Sequence, residues 1–363
     1  MITGKVTPVG GLMGAAVLGV GITALAAACY DPPEKNTAVA PITAEACKAT
    51  PGTFPAANCD SSQNVCTSTG CTIDPSCGST STCLPLADNA GKSTIDLRIR
   101  KLFVIAPATL ATTFMQTVVI TKNIDLNAKK CGESGAGSFN WLLRVDRTAG
   151  TLETGGAPPS TDPFGTGYCF YNHTTPKGIA VAPAKGNITF TGDTFASDKI
   201  PKLNVPIFLN GDVANAIVLP LSEVVIKDTT LSDGDNCVGK FDIGALDSTC
   251  GEDPTTCVKW KTNASLGGFI PLEDADKVDV TDLGRSLCVV LTGADGGAPP
   301  SGGVNRCPRD ASGKLQLTDA QRGDYCSTSK QPGDCRDSFW LTATFAASAV
   351  KITDGAGVPE CSP

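Results

Sequence analysis

From about Ser93 onward, short apolar runs alternate with polar positions at the two-residue period of a half-buried strand. In "TIDLRIRKLFVI" (94–105), Ile95, Leu97 and Ile99 face one way and Asp96, Arg98 and Arg100 the other. "MQTVVITKNIDL" (115–126), "FNWLLRVD" (139–146), "NITFTGDTF" (187–195), "LNVPIFL" (203–209) and "AIVLPLSEVVIKD" (216–228) follow. Each is short, β-branched and bounded by Gly, Pro, Asn or Asp. "SFWLTATFAASAVKI" (338–352) sets Phe339, Leu341, Ala343, Phe345 and Ala347 on one face. Helix signals are few. The clearest is "PLEDADKVDVTDLGRSL" (271–287), where Leu272, Ala275, Val278 and Leu283 share a face and Glu273 and Asp274 fall in a first turn. Its Val and Thr residues also allow a strand. Strands without regular intervening helices predict a mainly β body over 93–363, an antiparallel sandwich or barrel with long loops.

The first 92 residues read differently. Val6 to Ala28 carries no charge, Lys5 supplies a thin positive end, and five glycines dilute the apolar run. This predicts an export signal over 1–28, with a transmembrane anchor of about 20 residues as the alternative. Residues 29–58 are rich in Pro, Ala and Thr and read as a semi-extended stalk. Residues 59–83, "CDSSQNVCTSTGCTIDPSCGSTSTC", hold five cysteines with almost no apolar side chain between them. Such a segment cannot build a core, so bridges must fold it. A small disulfide-rich module is therefore expected over 59–92, and with Cys47 it could hold three internal bridges.

Cysteine count sharpens this. There are 17 cysteines, an odd number. With Cys29 set aside, the remainder (Cys47, Cys59, Cys66, Cys71, Cys77, Cys83, Cys131, Cys169, Cys237, Cys250, Cys257, Cys288, Cys307, Cys326, Cys335 and Cys361) can all pair as disulfides. Structural zinc would call for CxxC pairs or Cys with His. No CxxC occurs, and His173 is the single histidine.

"LAAAC" (25–29) resembles the lipobox of bacterial lipoproteins, in which an aliphatic residue and two small residues precede the acylated Cys. Here Ala26 stands at the −3 position and Leu25 one place early. The resemblance implies diacylglycerol on the Cys29 sulfur and attachment to a membrane through two or three acyl chains. Cleavage near Ala28 without acylation, giving a soluble secreted protein, is the alternative. Further along, "CLPLADNAGK", "NWLLRVD", "FLNGDVANAIVLPL", "RSLCVVLTG" and "DSFWLTATFAAS" are similar to stretches of a group of uncharacterised cysteine-rich predicted lipoproteins of Gram-negative bacteria. That group implies an outer-membrane or surface location and brings no established activity.

Composition narrows the function. The hydrophobic share is 41% and charged residues make 18%, enough for a packed core. The 39 glycines and 25 prolines favour turns over long helices. Net charge is −7 without a basic patch, which argues against nucleic acid as a partner. "NAGKS" (89–93) has the tail of a phosphate loop, but Leu86 stands where its first glycine belongs. His173 in "CFYNHTTP" has no G-x-S-x-G elbow to serve.

Two acidic clusters remain, Asp233, Asp235 and Asn236 near Asp242 and Asp247, and Glu273, Asp274, Asp276, Asp279 and Asp282. Oxygen ligands in Gly-containing loops suit calcium, and Asp233, Asp235 and Asp242 are the candidates. The competing reading of 233–236 is an Asp-Gly hairpin turn. Trp141, Trp260 and Trp340 are candidates for sugar stacking, with core packing as their default. Sequons at Asn172, Asn187 and Asn263 matter only in a eukaryotic secretory route. The hexapeptide GGAPPS recurs at 155–160 and 296–301, and Pro220 and Cys237 are echoed by Pro271 and Cys288. Gly/Pro-rich composition explains that echo as well as a duplicated unit does.

The expectation is a non-catalytic envelope or surface lipoprotein with a binding or structural role. Its partners would be a membrane, through the lipid, and an unidentified protein or glycan. A β-sheet pocket for a lipid or other apolar ligand is one rival. A carboxylate hydrolase of extracellular polymer is the other, marked by two convergent carboxylates, one with a raised pKa.

Overall fold

The computed structural model describes residues 83–128, 133–209, 216–241, 258–353 and 361, together with the short hairpin Val65–Thr67/Gly70–Thr72. Eleven strands organise the body. They are β1 (Thr94–Ala106), β2 (Asn140–Asp146), β3 (Thr151–Ala157), β4 (Ala184–Thr191), β5 (Thr194–Ser197) and β6 (Ile200–Ile207). They continue as β7 (Ile217–Lys227), β8 (Thr229–Ser232), β9 (Cys237–Val238), β10 (Ser265–Pro271) and β11 (Ser338–Ala349).

Eight of them close an antiparallel barrel in the order β1-β2-β3-β4-β5-β8-β9-β11, with β11 returning to β1. Closure removes the free edges that an open sheet would leave. The twelve-residue β11 makes the branch. One edge pairs with β1, while the other is shared between β10 along 338–344 and β9 at 347–348. From β10 the sheet runs on through β7 to β6, outside the ring.

The alternation seen in the sequence places the core. Ile95, Leu143, Leu152, Ile188, Phe195, Leu231, Val238 and Phe345, one from each barrel strand, join a single buried cluster. Leu203, Val224 and Ile270 extend it into the branch. Leu341, Ala343, Phe345 and Ala347 share the inner face of β11 as expected, with Phe339 packed against the cluster.

β1 shifts phase part-way along its length. In β1, Ile99 pairs with Ala347 but Lys101 with Ala346, so Arg100 is an extra residue. That bulge moves the inward set from Ile95, Leu97 and Ile99 to Leu102 and Val104. The outer face of β1 is not solvated, contrary to a half-buried strand. Arg98 and Arg100 are buried under a second layer formed by Cys83, Leu84, Phe241 and Trp260 on one side and Tyr168, Val350 and Ile352 on the other. Arg98 donates through Nε to Asn140 Oδ1 at 2.6 Å and lies over the Tyr168 ring at 5.5 Å. Arg100 donates to the Leu84 carbonyl at 3.0 Å and lies over the Trp260 ring. Hydrogen bonds and ring faces make the burial of these charges tolerable.

Residues 115–126 are the clearest departure. The β-branched run predicts a strand, but Met115–Thr121 form a π-helix and Lys122–Ile124 one further turn. Gln116 explains it. Its amide donates to the Leu102 carbonyl at 2.6 Å and accepts from the Val104 N–H at 3.0 Å, the two bonds a neighbouring strand would make. The segment thus serves β1 through one side chain, and its Ile120 and Ile124 join Leu110 in the core cluster.

The helix expected over 271–287 is a single turn, Leu272–Ala275. Leu272, Ala275 and Val278 are buried as the pattern requires, but Leu283 is exposed. Asp276 ends the turn by accepting bonds from Ser286 Oγ and the Cys307 N–H, both within 3 Å. A six-residue helix follows at Leu287–Thr292, with Ser286 capping the Val289 N–H and Gly293 closing it in the left-handed conformation.

The repeat in the sequence is not a structural one. Gly155 and Gly156 lie in β3, where a Cβ on Gly156 would stand 2.4 Å from Pro206 of β6. Gly296 and Gly297 lie outside the strands, Gly297 at φ +83°. Cys237 is in a strand and Cys288 in a helix.

Candidate functional site

Cys29, Cys47, Cys59, Cys77, Cys131, Cys250, Cys257, Asp242 and Asp247 lie outside the described residues. Cys66 and Cys71 are opposite partners in the short hairpin. Among the described residues, four bridges join Cys83–Cys237, Cys169–Cys361, Cys288–Cys307 and Cys326–Cys335. The first crosses the boundary expected at residue 93. Cys83 is tied to β9 and packs with Leu84, Phe241 and Trp260, so it belongs to the barrel's outer layer rather than to a bridge internal to the spacer.

The acidic clusters are largely paired. Residues 233–235 form a tight turn, all three at positive φ. Asp235 meets Arg147 at 2.5 Å, and Arg147 stacks over Phe190 at 4.6 Å. In the second cluster, Glu273 and Asp276 share Arg309, and Asp279 takes Arg306 and Lys177. Asp276 with Cys288 and Cys307, and Asp337 with Cys326 and Cys335, come close enough to suggest metal sites. In both, the two sulfurs are bonded to each other. His173 is half-buried, its ring 5.1 Å from that of Tyr171. Trp141 and Trp260 are core residues, whereas Trp340 is half-buried at the end of an aromatic row.

That row leads to a cleft of about 370 Å³ on the branch sheet. Trp340, Tyr325 and Phe269 pack in sequence with their rings tilted, ring centres 4.9 and 5.1 Å apart. Phe269, Pro201 and Pro271 give the cleft apolar surface, and Ser222 and Ser327 add hydroxyls. Glu223 is the pivot. β7 passes from its Ser222↔Phe269 pair to its Val225↔Gly267 pair with one residue too many, and Glu223 sits in that bulge at φ +49°. Its carboxylate meets Lys199 Nζ at 3.0 Å and Lys330 Nζ at 3.1 Å.

Lys330 also has positive φ, +59°, and its ammonium lies 4.8 Å from the centre of the Phe269 ring. The loop closed by Cys326–Cys335 presents it. Two non-glycine residues in the left-handed region cost on the order of 1 kcal/mol each. Both point their side chains at this cleft. Burial pushes the Glu223 carboxyl up, but the hydrogen bonds and charges of Lys199 and Lys330 outweigh it and hold the pKa below the usual range. The hydrogen bond to Glu223, reinforced by its charge, raises the pKa of Lys199.

A second cleft, of about 470 Å³, adjoins the same strands. Ile179, Pro183, Pro220 and Val278 give it apolar walls. At its lip Asp274 meets Lys277 at 2.8 Å and Lys202 at 3.6 Å. Burial raises the Asp274 pKa, and the two lysines more than reverse that.

In the sequence Asp274 is one member of the acidic cluster 273–282, with Asp233, Asp235 and Asp242 as the calcium candidates, and Lys199, Lys202, Glu223, Lys277 and Lys330 go unmarked. A signal was present. "DKIPKLNVPI" (198–207) sets lysines and prolines along one short strand, the composition of a blunted edge. No family model matches the chain, and neither does any curated protein or solved structure compared with it.

Proposed function

We propose that this chain is an exported, non-catalytic binding protein of the bacterial cell envelope, anchored by a lipid on Cys29. The observation that carries the binding role is the pair of clefts beside β6, each with apolar walls and a carboxylate held between two lysines. These carboxylates are ionised at neutral pH, since both pKa values are displaced downward. A glycosidase acid would need the opposite displacement, so the clefts favour recognition over hydrolysis. The continuous apolar cluster inside the barrel favours these outer clefts over the interior as the place for a ligand.

Export is supported by the four bridges, two of which join residues 154 and 192 positions apart. Such pairings belong to an oxidising compartment. The lipid rests on the lipobox resemblance at Cys29. Labelled palmitate fed to producing cells tests the anchor. Label should enter the wild-type chain, be absent from Cys29→Ser, and accompany the protein into membranes. Equal labelling of both chains, or an unlabelled wild type in the culture medium, refutes it.

A further inference from the structure

The two clefts are lined by neighbouring residues of the same elements, and we propose that they form one continuous tract for an acidic polysaccharide. This rests on the binding reading above and gives it a ligand class. Three elements each send a residue to both clefts. β6 gives Pro201 to one and Lys202 to the other, β7 gives Ser222 and Pro220, and the end of β10 with the turn after it gives Pro271 and Asp274. Strand alternation would turn Pro201 and Lys202 to opposite faces. Instead both are exposed, between the buried Ile200 and Leu203. The register with β7 does not change there, but Ile200 and Leu203, and Val224 and Leu221 opposite them, all join the core, which leaves two consecutive side chains outward on each strand, Pro201 and Lys202 beside Ser222 and Glu223.

The net charge is of one sign along the tract. Lys199 and Lys330 surround Glu223 in one cleft, and Lys202 and Lys277 surround Asp274 in the other. Each cleft therefore carries one excess positive charge, on a chain whose net charge is −7. All four lysines are at least partly exposed and can turn from their shared carboxylate to a ligand anion.

A uronic acid residue offers a carboxylate, several hydroxyl donors and an apolar C–H face. The tract offers the complement of each: ammonium groups, the acceptors Glu223 and Asp274, and the ring faces of Pro201, Pro271, Pro220 and Pro183. An acidic peptide would satisfy the lysines but also needs main-chain partners. β6 gives it few, since Pro201 and Pro206 have no N–H and Pro206 is pressed against Gly156 of β3.

The test uses the full-length mature chain in detergent, with titration calorimetry against polygalacturonate, neutral dextran and poly-L-glutamate. Polygalacturonate should bind, with affinity falling as salt rises. Dextran should not bind, and poly-L-glutamate should bind about tenfold more weakly, a difference of ~1.4 kcal/mol. Lys199→Gln/Lys330→Gln and Lys202→Gln/Lys277→Gln should each lower polygalacturonate affinity about tenfold, through lost simultaneous engagement of one chain. The corresponding Lys→Arg pairs should keep most of it. Loss confined to one pair, or halved stoichiometry at unchanged affinity, would refute a continuous tract. Equal binding of poly-L-glutamate would refute the ligand class. Polymer length is measured after the titration. Intact but unbound polygalacturonate overturns the tract alone, whereas shortened polymer overturns the non-catalytic reading on which it rests.

Discussion

Replacing the Cys83–Cys237 bridge by two alanines should weaken the fold far more than the same change at Cys326–Cys335. The first pair spans 154 residues and pins the outer layer, through Cys83 and Leu84, to β9 of the barrel. The second spans 9 residues and closes the loop carrying Lys330. Chain entropy assigns about 5 kcal/mol to closing the long loop and about 2.5 kcal/mol to the short one. The long bridge has a further role, because its loss loosens the cover over Arg100, whose guanidinium lies under Leu84 and Trp260. Urea unfolding of the oxidised variants, followed by tryptophan fluorescence, gives both values from the midpoints and slopes. Trp260 reports the outer layer directly, since it is buried against Phe241 at a ring separation of 5.0 Å. A smaller loss for the Cys83/Cys237 pair than for Cys326/Cys335 would refute the view that this bridge clamps the layer. The Cys326/Cys335 variant should stay folded but bind polygalacturonate more weakly than wild type.

Other consequences follow from named contacts. Gly156→Ala places a Cβ 2.4 Å from the Pro206 ring and should cost about 1–3 kcal/mol by overpacking; thermal unfolding measures it, and an unchanged midpoint would contradict the close crossing of β3 and β6. Arg98→Ala strips Asn140 Oδ1 of a buried donor and should lose about 2–3 kcal/mol, the scale for a hydrogen bond to a charged group and the acceptor it leaves unsatisfied, again read by urea unfolding. Glu223→Gln removes a carboxylate whose folded pKa is depressed. The wild-type advantage, about 0.5–1 kcal/mol for a partly exposed pair, should be complete above the ordinary glutamate pKa and vanish as pH falls through the depressed value. A stability difference that grows toward acid pH would reverse that sign.

Much of the barrel is legible in the alternation of apolar residues. Ile95, Leu97 and Ile99, and Leu341 through Ala347, point inward as their spacing requires. The phase shift at Arg100 is not legible, because a bulge is set by how β11 pairs with β1 and leaves no local mark. Residues 115–121 mislead for a clear reason. Val118, Val119, Ile120 and Thr121 favour a strand locally, and only the tertiary contact of Gln116 with Leu102 and Val104 makes a helix preferable. The helix at Leu287–Thr292 was readable in its Ser286 cap and Gly293 stop, and was missed because the acidic run before it drew the helix one segment early. The clefts were hidden because their lysines lie at positions 199, 202, 277 and 330 and meet only through the branch sheet. Asp274 drew notice as one member of an acidic cluster, yet its charge is matched by two lysines.

If the proposed function holds, the chain reaches an oxidising compartment, pairs its cysteines there and keeps Cys29 for lipid. Intact mass of the protein extracted from membranes, after thiol alkylation with and without reduction, tests all three at once. The account predicts an acylated Cys29 at the mature amino terminus, no alkylation before reduction, and sixteen alkylated thiols after it. An unacylated Cys29, or several thiols open to alkylation in the unreduced protein, would contradict it.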